Sequence, residues 1–274
     1  MVKCNNLYDN GNMKMIDQRD CIKVFEHQRD LSVNPGSAMA AYYAAEMNVR
    51  RRQVLIELNG NTFTVQAGAM QWMAGDVSAT TGIKGAGDFL SKTIRGKVTG
   101  ESVIKPEYTG DGTLVLEPTY KHIILLNLDE WGNSIVLDDG LFLACESTLK
   151  QKAVRRKTFS SAFAGGEGFF NLGLKGSGVV CIESDCPREE LVEITLEDDV
   201  VKIDGNLAIA WSGSLDFTVE RAGKSLLGSA ASGEGLVNVY RGTGKVLLAP
   251  VGNQAMKPQQ VIEKEPVIVG DDDE

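Results

Sequence analysis

A glycine–glutamate pair recurs three times at near-constant spacing, and it constrains the fold more than any other feature of the chain. The copies are Gly100-Glu101-Ser102, Gly166-Glu167-Gly168 and Gly233-Glu234-Gly235, with first glycines 66 and 67 residues apart. Each copy leads into a short apolar segment, then a glycine turn (Gly110-Asp111-Gly112, Gly176-Ser177-Gly178, Gly242-Thr243-Gly244), then a second apolar run. A repeat that keeps its length this closely marks one supersecondary unit used several times.

The content of each unit is β-strand. Val54, Ile56 and Leu58 alternate with Leu55 and Glu57, Asn59-Gly60 is a two-residue hairpin signal, and Phe63 and Val65 alternate again after it. Residues 122–128 with 134–137, and 191–196 with 200–203, stand at the corresponding places, so a hairpin is expected to open every unit. Leu215, Phe217 and Val219 alternate with Asp216, Thr218 and Glu220, which predicts a strand with one wet face. No Pro- or Ser-rich linker divides the units, and a few short strands close a core poorly alone. The predicted architecture is therefore all-β: a pseudo-threefold β-sandwich or barrel over residues 53–250, built from three internal repeats.

Residues 1–52 read as an N-terminal extension with one helix near 37–49. Asn34 before Pro35 resembles an N-cap, and good helix formers follow. Met39, Tyr43 and Met47 share a face, with Tyr42 beside them, and are expected to pack on the chain's own β core. Residues 251–274 read as a tail whose acidic end, Asp271-Asp272-Asp273-Glu274, is expected to be disordered.

Charge narrows the partners. Thirty-seven acidic against 28 basic residues leave a net charge of −9, which opposes nucleic acid and anionic membrane surfaces. No apolar h-region opens the chain and no run reaches the ~18 apolar residues of a membrane helix. The reading is a soluble, cytoplasmic protein without a membrane span. Five scattered cysteines, odd in number and without metal-ligand spacing, suit a reducing compartment, and neither metal nor cofactor is expected.

Taken in order, Gly68-Ala69-Met70, the run from Phe163 through Gly165-Gly166-Glu167-Gly168 to Phe170, Gly176-Ser177-Gly178, Gly233-Glu234-Gly235-Leu236 and Gly242-Thr243-Gly244 resemble the mitochondrial-biogenesis family, the "altered inheritance of mitochondria" type. The resemblance spans about residues 53–250. It implies an all-β fold similar to that of the tryptophan RNA-binding attenuation protein, self-assembly with a homotrimer favoured, and no established activity. The fungal relatives are linked to mitochondrial inner-membrane organisation, a role not carried over to a chain that shows no transit peptide. The first copy departs from the pattern as Gly-Glu-Ser, and residues 1–50 lie outside the family core that the resemblance implies.

Two sets of residues are candidates for binding. Glu101, Glu167 and Glu234 sit in glycine-rich turns; they can form a carboxylate ring about a pseudo-threefold axis, or accept hydrogen bonds from turn amides, the reading that threefold repetition favours. Basic residues precede each copy: Lys92 and Arg95, then Arg155, Arg156 and Lys157, then Arg221 and Lys224. Beside free backbone amides these can hold phosphate or carboxylate, or they can be a solvated face. Hydrolase chemistry finds little to work with, since the histidines are His27 and His122 alone and no Gly-x-Ser-x-Gly elbow occurs. The reading is a non-enzymatic, homo-oligomeric β-scaffold or binding protein with a possible protein partner. The alternatives are a module for a small anionic ligand or RNA, and, behind both, an enzyme.

Overall fold

Strands account for nearly all the regular structure of the chain, as the alternation of its apolar residues requires. The computed structural model describes residues 2–7, 10–81, 105–155, 170–221 and 236–251. Ahead of the first unit come β1 (Met13–Arg19), β2 (Ile22–His27) and helix α1 (Ala38–Glu46). The first unit supplies β3 (Arg52–Val65), β4 (Met70–Thr80) and β5 (Glu107–Leu116). The second supplies β6 (His122–Asn127), β7 (Ser134–Leu137), β8 (Phe142–Glu146), β9 (Lys150–Arg155), β10 (Phe170–Lys175) and β11 (Val179–Ser184). The third supplies β12 (Val192–Asp204), β13 (Ala208–Ser212), β14 (Asp216–Arg221) and β15 (Leu236–Leu248).

Among the described residues these strands form two sheets. The first runs β1-β2-β3-β8-β11-β6, with β5 added to β3 and β4 to β5; β1 and β6 touch, so the path nearly closes like a barrel. The second runs β12-β15-β13-β7-β10-β9, with β14 added to β15.

The hairpins expected at the start of each unit are not formed. At Asn59-Gly60 the chain does not turn back: β3 continues through a bulge, and both of its halves pair with β5, Leu55–Asn59 against Val115–Asp111 and Thr62–Thr64 against Thr109–Glu107. The positive φ of Gly60, 74°, goes into the bulge instead of a turn. β12 likewise runs through Asp198, φ 52°, and pairs with β15 on both sides of it. In the middle unit the chain breaks at the same place but crosses over, through a 3-10 turn at Leu128–Trp131 that the Asn127 side chain caps by accepting the Asp129 N–H at 3.0 Å. The middle unit is thereby divided, with β6, β8 and β11 in the first sheet and β7, β9 and β10 in the second.

An opening strand lies antiparallel to a closing strand in all three segments: β3 on β5, β6 on β11 with β7 on β10, and β12 on β15. The units join in a row, through β3 on β8 and β7 on β13. Among the described residues β12 makes no pair with β4, so the strand pairing gives no closed threefold ring.

The main core lies where the divided unit brings the sheets together. Ile124, Leu126, Trp131, Ile135, Leu137, Leu174, Val180 and Ile182 are buried there, each aliphatic side chain contributing about 1.5–3 kcal/mol of transfer free energy. A second cluster fills the first sheet's barrel, and Ile22 and Val24 of β2 belong to it, so the hairpin ahead of residue 53 is part of that sheet. Close strand approach explains the glycine turn of the first unit. A Cβ at Gly110, φ 130°, would stand 1.9 Å from the Asp76 carbonyl oxygen of β4.

Helix α1 starts later than its sequence implies: the N-cap is Ser37, without a side-chain capping bond, and not Asn34, whose side chain accepts the N–H groups of Gly36 and Ser37 at 3.0 and 3.1 Å in the turn before the helix. Its packing reverses the expectation, because no residue of α1 is buried and Met39, Tyr42, Tyr43 and Met47 are 61–77% exposed. The rotation of the helix is set by its exit. Asn48 is left-handed at φ 63°, and the fully buried Arg52 guanidinium donates to the Asn48 carbonyl at 3.0 Å while pairing with Glu26 at 2.9 Å. Arg50 pairs with Glu26 at 3.1 Å and donates to the Ala45 carbonyl. These bonds turn the alanine face, Ala40, Ala41, Ala44 and Ala45, toward the body of the protein and the large apolar side chains outward.

Candidate functional site

Strand register on the second sheet builds a groove that composition alone conceals. In register across β9, β10, β7 and β13, one row reads Lys152, Gly173, Val136, Trp211. The row beside it begins Lys150, Lys175, Ser134 and ends at Gly213, whose N–H donates to the Ser134 carbonyl at 2.9 Å. Because side chains two apart on a strand share a face, three lysines gather at one end of this surface. Beyond β13 the chain bends into β14, and Leu215, Asp216 and Phe217 form the facing wall. The enclosed groove holds about 400 Å³, with Val154 and Asn171 completing its lining.

Two glycines stand where neighbouring side chains already fill the space. A Cβ at Gly173 would lie 2.8 Å from the Val154 methyl, and one at Gly213 would lie 2.1 Å from the Ser134 hydroxyl oxygen. The apolar wall is rigid, because Phe217 stacks on Trp211 at 5.4 Å and 27° and both rings pack on Tyr240 at 5.2–5.3 Å. Trp211 and Val136 are buried beneath, in a cluster with Leu196, Leu215 and Val246.

What sets the lysine end apart is that three lysines share one cleft. Several cations elsewhere are matched: Lys245 and Arg188 hold Glu193 at 2.8 and 3.0 Å, Arg241 holds Glu220 at 2.7 Å, and Lys23 holds Glu57 at 2.7 Å. The two cations on Glu193 keep its carboxyl below the usual range, Lys245 foremost. Lys150, Lys152 and Lys175 make no ion pair among the described residues, and Asp216 at the far wall is the acid that shares their groove.

A second concavity, of about 560 Å³, has the opposite character. Asp138, Asp139, Glu183, Asp185 and Asp204 line it, with Lys121 as its cation. The glycine turns Gly140 and Gly205 form part of its rim. Among the described residues no group of three or more His, Cys, Asp or Glu side chains is arranged to hold a metal ion.

Two buried cysteines are held as thiols. Burial pushes the Cys145 thiol up to about 12 and the fully enclosed Cys181 thiol well above its ordinary value. Burial lowers both histidines, with Arg51 adding to the effect at His27 and Arg52 at His122.

Most of the residues singled out from sequence fall outside the described residues: Glu101, Glu167, Glu234, Arg156 and Lys157. Arg155 ends β9, paired in register with Phe170. The lysines of the groove lay just upstream. The alternation Lys150-Gln151-Lys152-Ala153-Val154, together with Lys175 directly before Gly176, was the signal that could have found them.

The fold and the groove define a class: an all-β protein of two sheets that presents a small cationic cleft and a helix with an exposed apolar face. The chain belongs to the Mitochondrial biogenesis AIM24 family, whose model matches residues 27–251. That match takes in α1 and reaches further toward the N-terminus than the sequence motifs alone implied. An uncharacterized protein of Streptococcus pyogenes serotype M6 is 30% identical over 204 residues, covering 71% of this chain and 80% of the relative. An X-ray crystal structure of another S. pyogenes protein, from a structural genomics consortium, matches with a TM-score of 0.54 and 28% identity over 75% of this chain and 90% of that one. Among the described residues no helix is long and apolar enough to cross a membrane.

Proposed function

We propose that this protein is a non-enzymatic binding protein, and that its working surface is the lysine groove, which takes a small anionic ligand. The observation that carries the reading is the convergence of Lys150, Lys152 and Lys175, without an acidic partner within ion-pair distance among the described residues, on a cleft of about 400 Å³. That volume falls within the usual range for small-molecule sites. Unpaired cations on rigid strands attract an anion without any reorganisation of the protein. Burial of Cys145 and Cys181 raises both thiols and withholds the thiolate, the reactive form of cysteine. Native mass spectrometry of the protein as purified, beside a Lys150→Glu, Lys175→Glu variant, tests the reading. An anionic adduct retained by the parent and lost from the variant is expected. An adduct retained equally by both would contradict it.

A second reading, a homo-oligomeric scaffold, draws on α1. Met39, Tyr42, Tyr43 and Met47 are exposed together on a helix with one acidic residue, Glu46, and no basic one. The occupant in this reading is a second copy of the chain. Two such helices packed antiparallel bury apolar side chains and set the two Glu46 carboxylates at opposite ends, avoiding like-charge repulsion. Light scattering on the parent and on Met39→Ser, Met47→Ser tests it: the parent is expected to be oligomeric and the variant to shift toward monomer. A monomeric parent would rule it out.

A further inference from the structure

We infer that the ligand of the lysine groove is a phosphate monoester of a planar, apolar alcohol, bound with its dianionic head at Lys150, Lys152 and Lys175 and its body along Phe217, Val154 and Val136. The inference rests on the anion-binding reading above and adds the class of molecule.

Three features of the groove lead to this class. The first is charge. Three lysines less the Asp216 carboxylate leave two positive charges in the cleft, and a phosphate monoester above its second ionisation near pH ~6 carries two negative ones. The second is volume, since about 400 Å³ is far more than a free phosphate fills, so an anion that uses the whole groove has a body attached. The third is the shape and chemistry of what faces the lysines. Phe217 is held flat by its stack on Trp211 and by Tyr240 behind, and an aromatic ring offers a planar partner a favourable offset contact. Gly173 and Gly213 stand at the floor positions where any side chain would collide with Val154 or Ser134. The planar contact offered by Phe217 is what favours a flat body. Asn171, 4% exposed, closes the far end and is itself held, its amide donating to Asp138 at 3.3 Å.

Calorimetric titration of the full chain with naphthyl phosphate, inorganic phosphate and naphthol tests the inference. Naphthyl phosphate is expected to bind at least about tenfold more tightly than inorganic phosphate. Lys150→Glu, Lys175→Glu should weaken both anions, whereas Phe217→Leu, which keeps an apolar side chain in the aromatic cluster, should weaken the ester alone. Thermal midpoints of the variants check that each is folded. Equal affinity for the ester and inorganic phosphate, both lost in the lysine variant, overturns the class of ligand and leaves the anion site standing. Binding of neither anion overturns both readings, and naphthol binding as tightly as its phosphate ester removes the role of the lysines. A single-stranded ribonucleotide that displaces the ester more strongly than the ester binds would overturn the small-molecule assignment.

Discussion

The lysine groove lies on β7, β9, β10 and β13 of the second sheet, the acidic cavity lies among the turns that follow β7 and β12 and the end of β11, and the two have opposite electrostatics. One gathers Lys150, Lys152 and Lys175 against the rings of Phe217 and Trp211; the other gathers five carboxylates around the turns of Gly140 and Gly205. A hydrogen bond links them, from the Asn171 amide in the groove to Asp138 in the cavity. The difference teaches that a net charge of −9 describes the molecule's far field only. Within a Debye length of about 8–10 Å, the local arrangement of charges decides which ligand is held.

The comparison can be broken by giving the groove the cavity's sign. Lys150→Glu with Lys175→Glu should reduce naphthyl phosphate affinity at least about a hundredfold in calorimetry, since like charges facing each other cost several kcal/mol. Filling the floor comes next. Gly213→Val places its side chain into the Ser134 hydroxyl, where a Cβ alone would stand at 2.1 Å, and should lower stability by about 1–3 kcal/mol in urea denaturation while narrowing the groove.

Protonating the ligand is a milder change. Between pH 7 and pH 5 the phosphate head gains its second proton, so affinity at Lys150, Lys152 and Lys175, opposite Asp216, should fall roughly tenfold. Phe217→Leu should cost about fivefold for the ester, the scale of one aromatic contact. Asp139→Asn with Asp204→Asn in the acidic cavity should change ester affinity less than about twofold, because both side chains are exposed to solvent and neither lines the groove. A large effect from that last pair would show that the two surfaces act as one.

How much of this was legible in the sequence depends on whether the signal was local. The all-β class followed from alternation, and the presence of α1 followed from its run of helix formers, although its N-cap is Ser37 and not Asn34. Asn59-Gly60 read as a hairpin because the dipeptide specifies a left-handed residue but not what the chain does after it. Here β5 offers partners on both sides of the kink, and a bulge satisfies the backbone without reversing direction. The outward face of α1 was illegible for a different reason. Periodicity identifies an apolar stripe, while the rotation of the helix was set by the buried Arg52, which bonds Asn48 four residues before it and Glu26 twenty-six before it, a network only partly visible as charge pairs. The groove lysines were missed because their convergence depends on the pairing of β9 with β10. Lys150 and Lys175 are far apart in the chain and opposite each other in the sheet. The Gly-Glu segments that organise the repeat, by contrast, stand out in sequence and lie outside the described residues.

The most direct test of the central claim, that the lysine groove is the anion site, is a titration followed by NMR on protein whose lysines carry carbon-13 methyl labels. Added naphthyl phosphate should shift the signals of Lys150, Lys152 and Lys175 together, along one saturating curve, and leave Lys23 and Lys245, which are already paired with carboxylates, in place. Saturating shifts confined to lysines outside the groove, with these three unmoved, would contradict it.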